Sequence, residues 1–292
     1  MYTIDLAYVG RGLHEELVAY IADQEDYYAQ EGVNVSLHDG VPWGIERLRH
    51  VATIGLGRAL LSRLTDGIPW VALNVNTDRP LFWFLARPGL TSLADLAGKR
   101  LAVHPAHTPP GSFARIVLRR AGLDPDRDVQ SIVRSPGDYG MDLRQLRDGS
   151  IDAAYVGSTM APEAVAAELG WTVPAWVGDH FQIPTVGLAV DPTYIDPEGP
   201  AIQAVVRAHR RALQIVRNDP DTTVRHLRTF LGRHTDAEIR AHYDRFIAPY
   251  FTTDGQADLA VGDAGIKAVA AELGLPATVT ASEYFRTAIT AP

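Results

Sequence analysis

The chain has 292 residues, 46% of them hydrophobic and 21% charged, with a formal net charge of −8. At about 150 residues per domain this length points to two domains with a sizeable core, and no apolar run reaches the roughly 18 residues needed to span a bilayer. The acidic balance without a Lys/Arg cluster excludes a nucleic-acid footprint, and the absence of cysteine excludes disulfides, thiolate metal sites, iron–sulfur clusters and Cys nucleophiles.

The first element, within "MYTIDLAYVG", is a strand near 3–9 with no basic segment, apolar stretch and cleavage site ahead of it. As written the chain is expected in the cytoplasm, or in the periplasm or outside the cell if a leader has been removed. A helix near 13–30 sets Leu13, Leu17, Val18, Ile21 and Tyr28 near one face and ends at Gly32. Strands near 33–38, 51–55 and 70–76 then alternate with helices near 43–50 and 58–66. After "NVNTDRPLFWFLARPG" a second series begins, with strands near 99–104, 129–134, 151–157 and 185–190 and helices near 111–122, 139–148 and 159–169. From about 198 the pattern is helical only: "PAIQAVVRAHRRALQIVRNDP" is one amphipathic helix, and Thr235–Glu238 is a capping box opening another.

This βαβα order implies an α/β fold of mostly parallel sheets flanked by helices, with a helical C-terminal segment. The aromatic run between Pro80 and Pro88, and "FQIPTVGLAV" at 181–190, are extended stretches suited to crossing between two lobes. The expected division is 1–80 plus 191–292 as one discontinuous lobe and 81–190 as an inserted second, with the hinge near 77–88 and 181–190. A cleft between such lobes gathers strand carboxyl ends and helix N-termini, which is where ligands bind.

Five stretches carry a family resemblance: "YYAQEGVNVSL" (Tyr27–Leu37), "DGIPWVALNVN" (Asp66–Asn76), "SLADLAGKRLAVH" (Ser92–His104), "LRRAGLDPDRDV" (Leu118–Val129) and "LRDGSIDAAYVG" (Leu146–Gly157). In this order they resemble the sulfonate, taurine and nitrate substrate-binding proteins of ABC importers, whose superfamily includes the thiamin-pyrimidine-precursor synthase. The resemblance implies a two-lobed type II periplasmic-binding-protein-like fold, a small-molecule ligand and, if the protein is exported, an ABC permease as partner. The synthase's cysteine-rich iron motif has no counterpart here, and its reactive histidine aligns near Ala59. Cytosolic enzymes on the same scaffold, such as 4,5-dihydroxyphthalate decarboxylase and the futalosine-pathway enzymes, supply the alternative: a decarboxylase, lyase or biosynthetic enzyme acting on a small carboxylate or heterocycle.

The candidate ligand-binding residues lie where strands give way to loops and helices. "VGRGLHEE" is one position short of a dinucleotide fingerprint, because Glu15 stands where the third glycine belongs; Arg11 and His14 are instead expected to face the cleft. The amides near Gly57 and the Arg58 guanidinium suit an anion, as do the amides near Gly111 and the Ser112 hydroxyl at a helix beginning near 111. Tyr8, Trp43, Phe113 and Tyr155 can cover a planar or apolar ligand, whereas Phe82, Trp83 and Phe84 cannot all face one cleft, since strand neighbours alternate. Asn76 and Gln182, one on each crossing stretch, complete the set. His104 and His107 are polar ligand contacts, or the general acid or base if the protein is an enzyme. Their short spacing also suits a metal with His180 or His14 as a third ligand, but the sequence identifies no group that completes the site, so neither metal nor cofactor is assigned. His209, His226, His234 and His242 are expected on solvated faces of the helical tail. No Gly-x-Ser-x-Gly elbow or Walker loop is present. The expected function is binding of a small anionic or aromatic solute between two closing lobes, with no membrane insertion.

Overall fold

The computed structural model of the chain describes residues 2–8, 14–40, 43–134 and 141–287. The first series comprises β1 (Tyr2–Ala7), a 3-10 turn at His14–Glu16, α1 (Leu17–Gln24), α2 (Tyr27–Gln30), β2 (Val33–His38), α3 (Ile45–Leu48), β3 (Ala52–Gly55), α4 (Leu56–Asp66) and β4 (Val71–Thr77). The second comprises β5 (Trp83–Ala86), β6 (Arg100–Val103), α5 (Pro109–Arg120), β7 (Gln130–Val133), α6 (Met141–Asp148), β8 (Ala153–Val156), α7 (Pro162–Leu169), β9 (Thr172–Trp176) and α8 (Val177–His180). The chain continues through β10 (Val186–Val190) to α9 (Pro200–Asn218), α10 (Pro220–Phe230), α11 (Asp236–His242), α12 (Leu259–Glu272) and α13 (Ala281–Tyr284).

Two five-stranded sheets result, ordered β2-β1-β3-β10-β4 and β7-β6-β8-β5-β9. They share one plan. β1 pairs in parallel with β2 and β3, as β6 does with β7 and β8, and the fourth strand of each order runs antiparallel to both its neighbours. Each antiparallel strand is the first one reached after the chain passes from the other sheet. Residues 78–82 and 181–185 make these passages, and the Ile183 N–H donates to the Asp78 carbonyl at 2.9 Å, tying one to the other.

Several elements differ from the sequence expectation. The strand expected at 185–190 in the second series is β10, which pairs with β3 and β4 in the first sheet. Its unbroken apolar run reports burial on both faces but not the sheet that buries it. The opening helix breaks at Asp26, whose left-handed backbone (φ 58°) stops α1 and lets its carbonyl accept from Gln30 at 3.0 Å. Asp tolerates this conformation better than most residues. α5 starts at Pro109 rather than near 111, because Thr108 caps it and two prolines fill its first two positions, where a missing N–H costs nothing. Alternation along β5 works as expected. Trp83 packs on His242 and Phe246, while Phe82 and Phe84 both meet Tyr155 from the other side.

The helical tail corrects a further expectation. His209, His226, His234 and His242 are 0%, 8%, 9% and 4% exposed, so none lies on a solvated face. The tail packs against both sheet assemblies and leaves these positions no water. His209 pairs with the Tyr28 hydroxyl at 2.8 Å, His226 with Glu25 at 2.7 Å, and His234 accepts the Ala161 N–H at 3.1 Å. On the opposite flank, Glu272 of α12 receives Arg115 and Arg119 of α5 at 2.6 and 2.9 Å. Among the described residues no helix is long and apolar enough to cross a membrane.

Candidate functional site

The carboxyl ends of the parallel strands approach one another across the gap between the sheets. Gly57, in the first turn of α4, stands where a Cβ would lie 3.0 Å from the Cβ of Pro109 at the start of α5, and its N–H donates to the Thr185 carbonyl at 3.4 Å. The two helix starts therefore meet beside the crossing segments.

On the second sheet's side, Tyr155 is fully buried and stacks on Phe82 at 5.2 Å with 9° between the rings. Phe113 reaches Phe82 edge-on at 6.5 Å, and His104 stands edge-on to both Phe82 and Tyr155. Gly157 keeps this stack close, since a Cβ there would lie 3.2 Å from the Phe82 ring. Arg134, at the carboxyl end of β7, donates to the Tyr155 carbonyl at 2.6 Å and to His104 Nε2 at 3.1 Å. Because a guanidinium only donates, Nε2 is the acceptor and the neutral ring carries its proton on Nδ1. Burial, reinforced by Arg134, pushes the His104 pKa down to about 3. The imidazole lone pair is already engaged, which leaves His104 poorly suited to act as a general base.

On the first sheet's side, Arg58 is half-buried and donates through Nη2 to the Trp43 carbonyl at 2.9 Å. No carboxylate pairs with it among the described residues, and burial alone lowers its pKa. Trp43 is held by Arg47 over its ring at 3.8 Å and by His38 at 5.0 Å. Tyr8, directly after β1, is buried, and its hydroxyl has no partner. Glu16, which opens α1, is also buried with an unpartnered Oε1. Burial, with Asp39 and Glu15 close by, raises its carboxyl to about 9; burial raises Glu15 to about 7. Glu15 acts electrostatically on the Tyr155 hydroxyl, which is likewise unpartnered.

The remaining candidates fall as follows. Arg11 lies outside the described residues, and of His14 only the backbone turn is described. Asn76 is buried on β4, accepting from Asn74 Nδ2 at 3.0 Å through Oδ1 and from the Thr252 N–H at 2.8 Å through its carbonyl. Gln182 belongs to the crossing segment, with Oε1 accepting from Arg79 at 2.9 and 3.0 Å. His107 is exposed beyond the aromatic cluster. The amides expected at the start of α5 are spent within the protein. Pro109 and Pro110 have none, the Gly111 N–H goes to Thr108 Oγ1 at 3.3 Å, and the Ser112 N–H goes to the Thr108 carbonyl at 2.9 Å. The Ser112 hydroxyl donates to the Pro109 carbonyl at 2.9 Å. Among the described residues no group of three or more His, Asp or Glu could hold a metal ion.

Sequence reasoning missed Arg134, Phe82, Ser158 and the pair Glu15–Glu16. Ser158 is buried just beyond β8 with an unpartnered hydroxyl. The usable signal was position, since Arg134 and Ser158 each follow a strand's carboxyl end. The glutamates escape the helical pattern because His14–Glu16 is a 3-10 turn rather than part of a helix near 13–30.

A family model described as NMT1/THI5 like matches residues 15–223. No curated protein matches the chain. Among solved structures it is similar to the periplasmic aliphatic sulphonate binding protein SsuA from Escherichia coli, at 16% identity and a TM-score of 0.74 over 94% of this chain and 92% of that one. The alkanesulfonate-binding protein SsuA from Xanthomonas axonopodis pv. citri, bound to MOPS, aligns over 98% of each chain at 16% identity and a TM-score of 0.74. The desulfurization enzyme DSZB aligns over 97% of this chain and 96% of that one, at 16% identity and a TM-score of 0.69. At such identities the likeness is one of fold: the two-lobed scaffold of periplasmic binding proteins.

Proposed function

This chain belongs to the NMT1/THI5-like family, and on that premise we propose that it is a solute-binding protein of the ABC-importer type, whose cleft takes a small anion with an apolar or aromatic body. The observation that carries this reading is Arg58, a half-buried guanidinium with no carboxylate partner among the described residues. A buried charge left uncompensated is costly, so a site that keeps one is built for a counter-charge arriving with the ligand. Tyr8, Tyr155 and Ser158 add unpartnered buried hydroxyls, each a group that gains by meeting a polar ligand. Phe82 and Tyr155 offer the apolar surface. We further read the first-sheet and second-sheet assemblies as the two lobes that close on the solute, with 78–82 and 181–185 as the hinge. On this reading the macromolecular partner is an ABC permease, and the protein works outside the cytoplasmic membrane, as the periplasmic Escherichia coli relative does.

An enzyme in the same cleft is the second reading, favoured by the likeness to a desulfurization enzyme. The engagement of His104 Nε2 by Arg134 weighs against it. A thermal-shift panel of alkane- and arylsulfonates, carboxylates and nitrate, with mass analysis of each hit, separates the two. A solute at 100 times its dissociation constant adds about 2.7 kcal/mol of stability, and Arg58→Ala is expected to lose most of that gain. A panel with no stabilising anion overturns the binding reading, and a hit recovered with a new mass establishes turnover instead.

A further inference from the structure

The direction of the Arg58 guanidinium is set from outside the cleft. Its Nη2 donates to the Trp43 carbonyl at 2.9 Å, so the donors left for a solute point where Trp43 lets them. Trp43 stands just before Gly44, the N-cap of α3, and the first turn of that helix folds Arg47 back over it, with the guanidinium carbon 3.8 Å from the centre of the indole ring. A planar cation at that distance is held by the negative face of the ring. Arg47 is exposed, and among the described residues it pairs with no carboxylate. His38, which ends β2, packs on the same indole at 5.0 Å and is tied in turn to Asp5 of β1 at 2.8 Å. The carbonyl that holds Arg58 therefore belongs to a residue whose side chain is fixed both to the helix turn and to the end of a strand.

We propose that Arg47 and Trp43 are positioning residues for the solute's anion: Arg47 pins the Trp43 ring, and the Trp43 carbonyl then holds the Arg58 guanidinium in the direction the anion needs. This rests on the reading of Arg58 above as the anion's counter-charge. An arginine side chain left to itself loses rotamer freedom when it engages a ligand, and a bond that orders it beforehand removes part of that cost from binding. On this assignment Trp43 serves the site through its backbone, while its ring is spent on Arg47 and His38.

Calorimetric titration with benzenesulfonate tests it on the full chain as wild type, Arg47→Ala, Arg47→Lys, Arg58→Ala and the Arg47→Ala, Arg58→Ala double variant, each checked for an unchanged melting profile. Arg47→Ala is expected to weaken binding about two- to fivefold, the scale of one exposed cation–π contact, and Arg47→Lys, which keeps a cation over the ring, to retain most of the affinity. In the Arg58→Ala background the Arg47→Ala loss is expected to shrink below about 1.5-fold, because the contact then has nothing to orient. A loss of equal size in both backgrounds means that the Arg47 charge acts on the solute directly and overturns the positioning role, and so does full affinity in Arg47→Ala. Either result leaves the anion reading standing as long as Arg58→Ala alone weakens binding. Wild-type affinity in Arg58→Ala, or no binding of benzenesulfonate by the wild type, refutes the anion reading and the positioning role together.

Discussion

At the residue scale, buried titratable groups decide how this protein responds to pH. His209 is fully buried, accepts or donates a single 2.8 Å bond with Tyr28, and has its pKa pushed by burial down to about 3. The unfolded chain, with a histidine pKa of about 6.5, takes up the proton first, so its stabilising share is whole above about pH 6.5 and drains as the pH falls toward 3. Burial pushes His104 and His242 the same way, each to about 3. His209→Leu is expected to cost about 1–3 kcal/mol near neutral pH by leaving the Tyr28 hydroxyl only its 3.4 Å bond to the Ala19 carbonyl. That deficit should narrow at about pH 4.5, where the wild type has lost its own share. Urea unfolding at the two pH values measures it; a deficit of constant size contradicts the assignment.

At the element scale, helix starts are where local chemistry and tertiary placement meet. Thr235 and Glu238 form the capping box that the sequence announces, and Ser92–Asp95 and Thr280–Glu283 form two more. Each satisfies donors that a helix end leaves orphaned. α5 shows the other side: its cap is equally local, but the cap uses up the amides a ligand would need. Its first turn is also wedged against the loop before it, since a Cβ on Gly111 would sit 2.0 Å from the Pro105 carbonyl oxygen. Backbone lies on both sides of that contact, so Gly111→Ala is expected to destabilise by about 1–3 kcal/mol or more. The melting temperature should fall accordingly. An unchanged one would mean that the loop 104–108 yields freely, and that α5 is not held in register by this contact.

At the scale of the whole molecule, two sheets of one plan are joined by two short passages and braced by the tail. α12 grips α5 through Glu272, while α11 and the π-helical turn Tyr243–Ile247 after it pack on Trp83 and Trp176. On the proposed reading, motion between the assemblies concentrates in the passages, where Arg79 links Gly178, Gln182 and the Tyr250 ring. Arg79 touches none of the residues proposed to meet the solute's charges. Arg79→Ala is nonetheless expected to weaken solute binding about three- to tenfold, by lowering the population of the arrangement in which Gly57 meets Pro109. Titration with any solute that stabilises the wild type gives the affinity, and small-angle scattering gives the shift toward an opened shape. Unchanged affinity would place the hinge elsewhere.

What the sequence determined by itself was local. Apolar periodicity marked β1 to β4, β6 to β8 and α9 to within a few residues, and proline-flanked extended runs marked the passages, because these patterns depend on a residue's near neighbours in the chain. Of the proposed site, the strand-to-helix joints at Tyr8, Arg58, His104 and Tyr155 were legible for the same reason. Only the tertiary structure decided which sheet β10 joins, that the tail histidines are buried against distant elements, and that Arg134 occupies the His104 lone pair. These are pairings between residues tens to hundreds of positions apart. No local pattern encodes which distant surface will exclude the water from a given side chain, and it is that exclusion which sets each buried group's charge and each free donor's use.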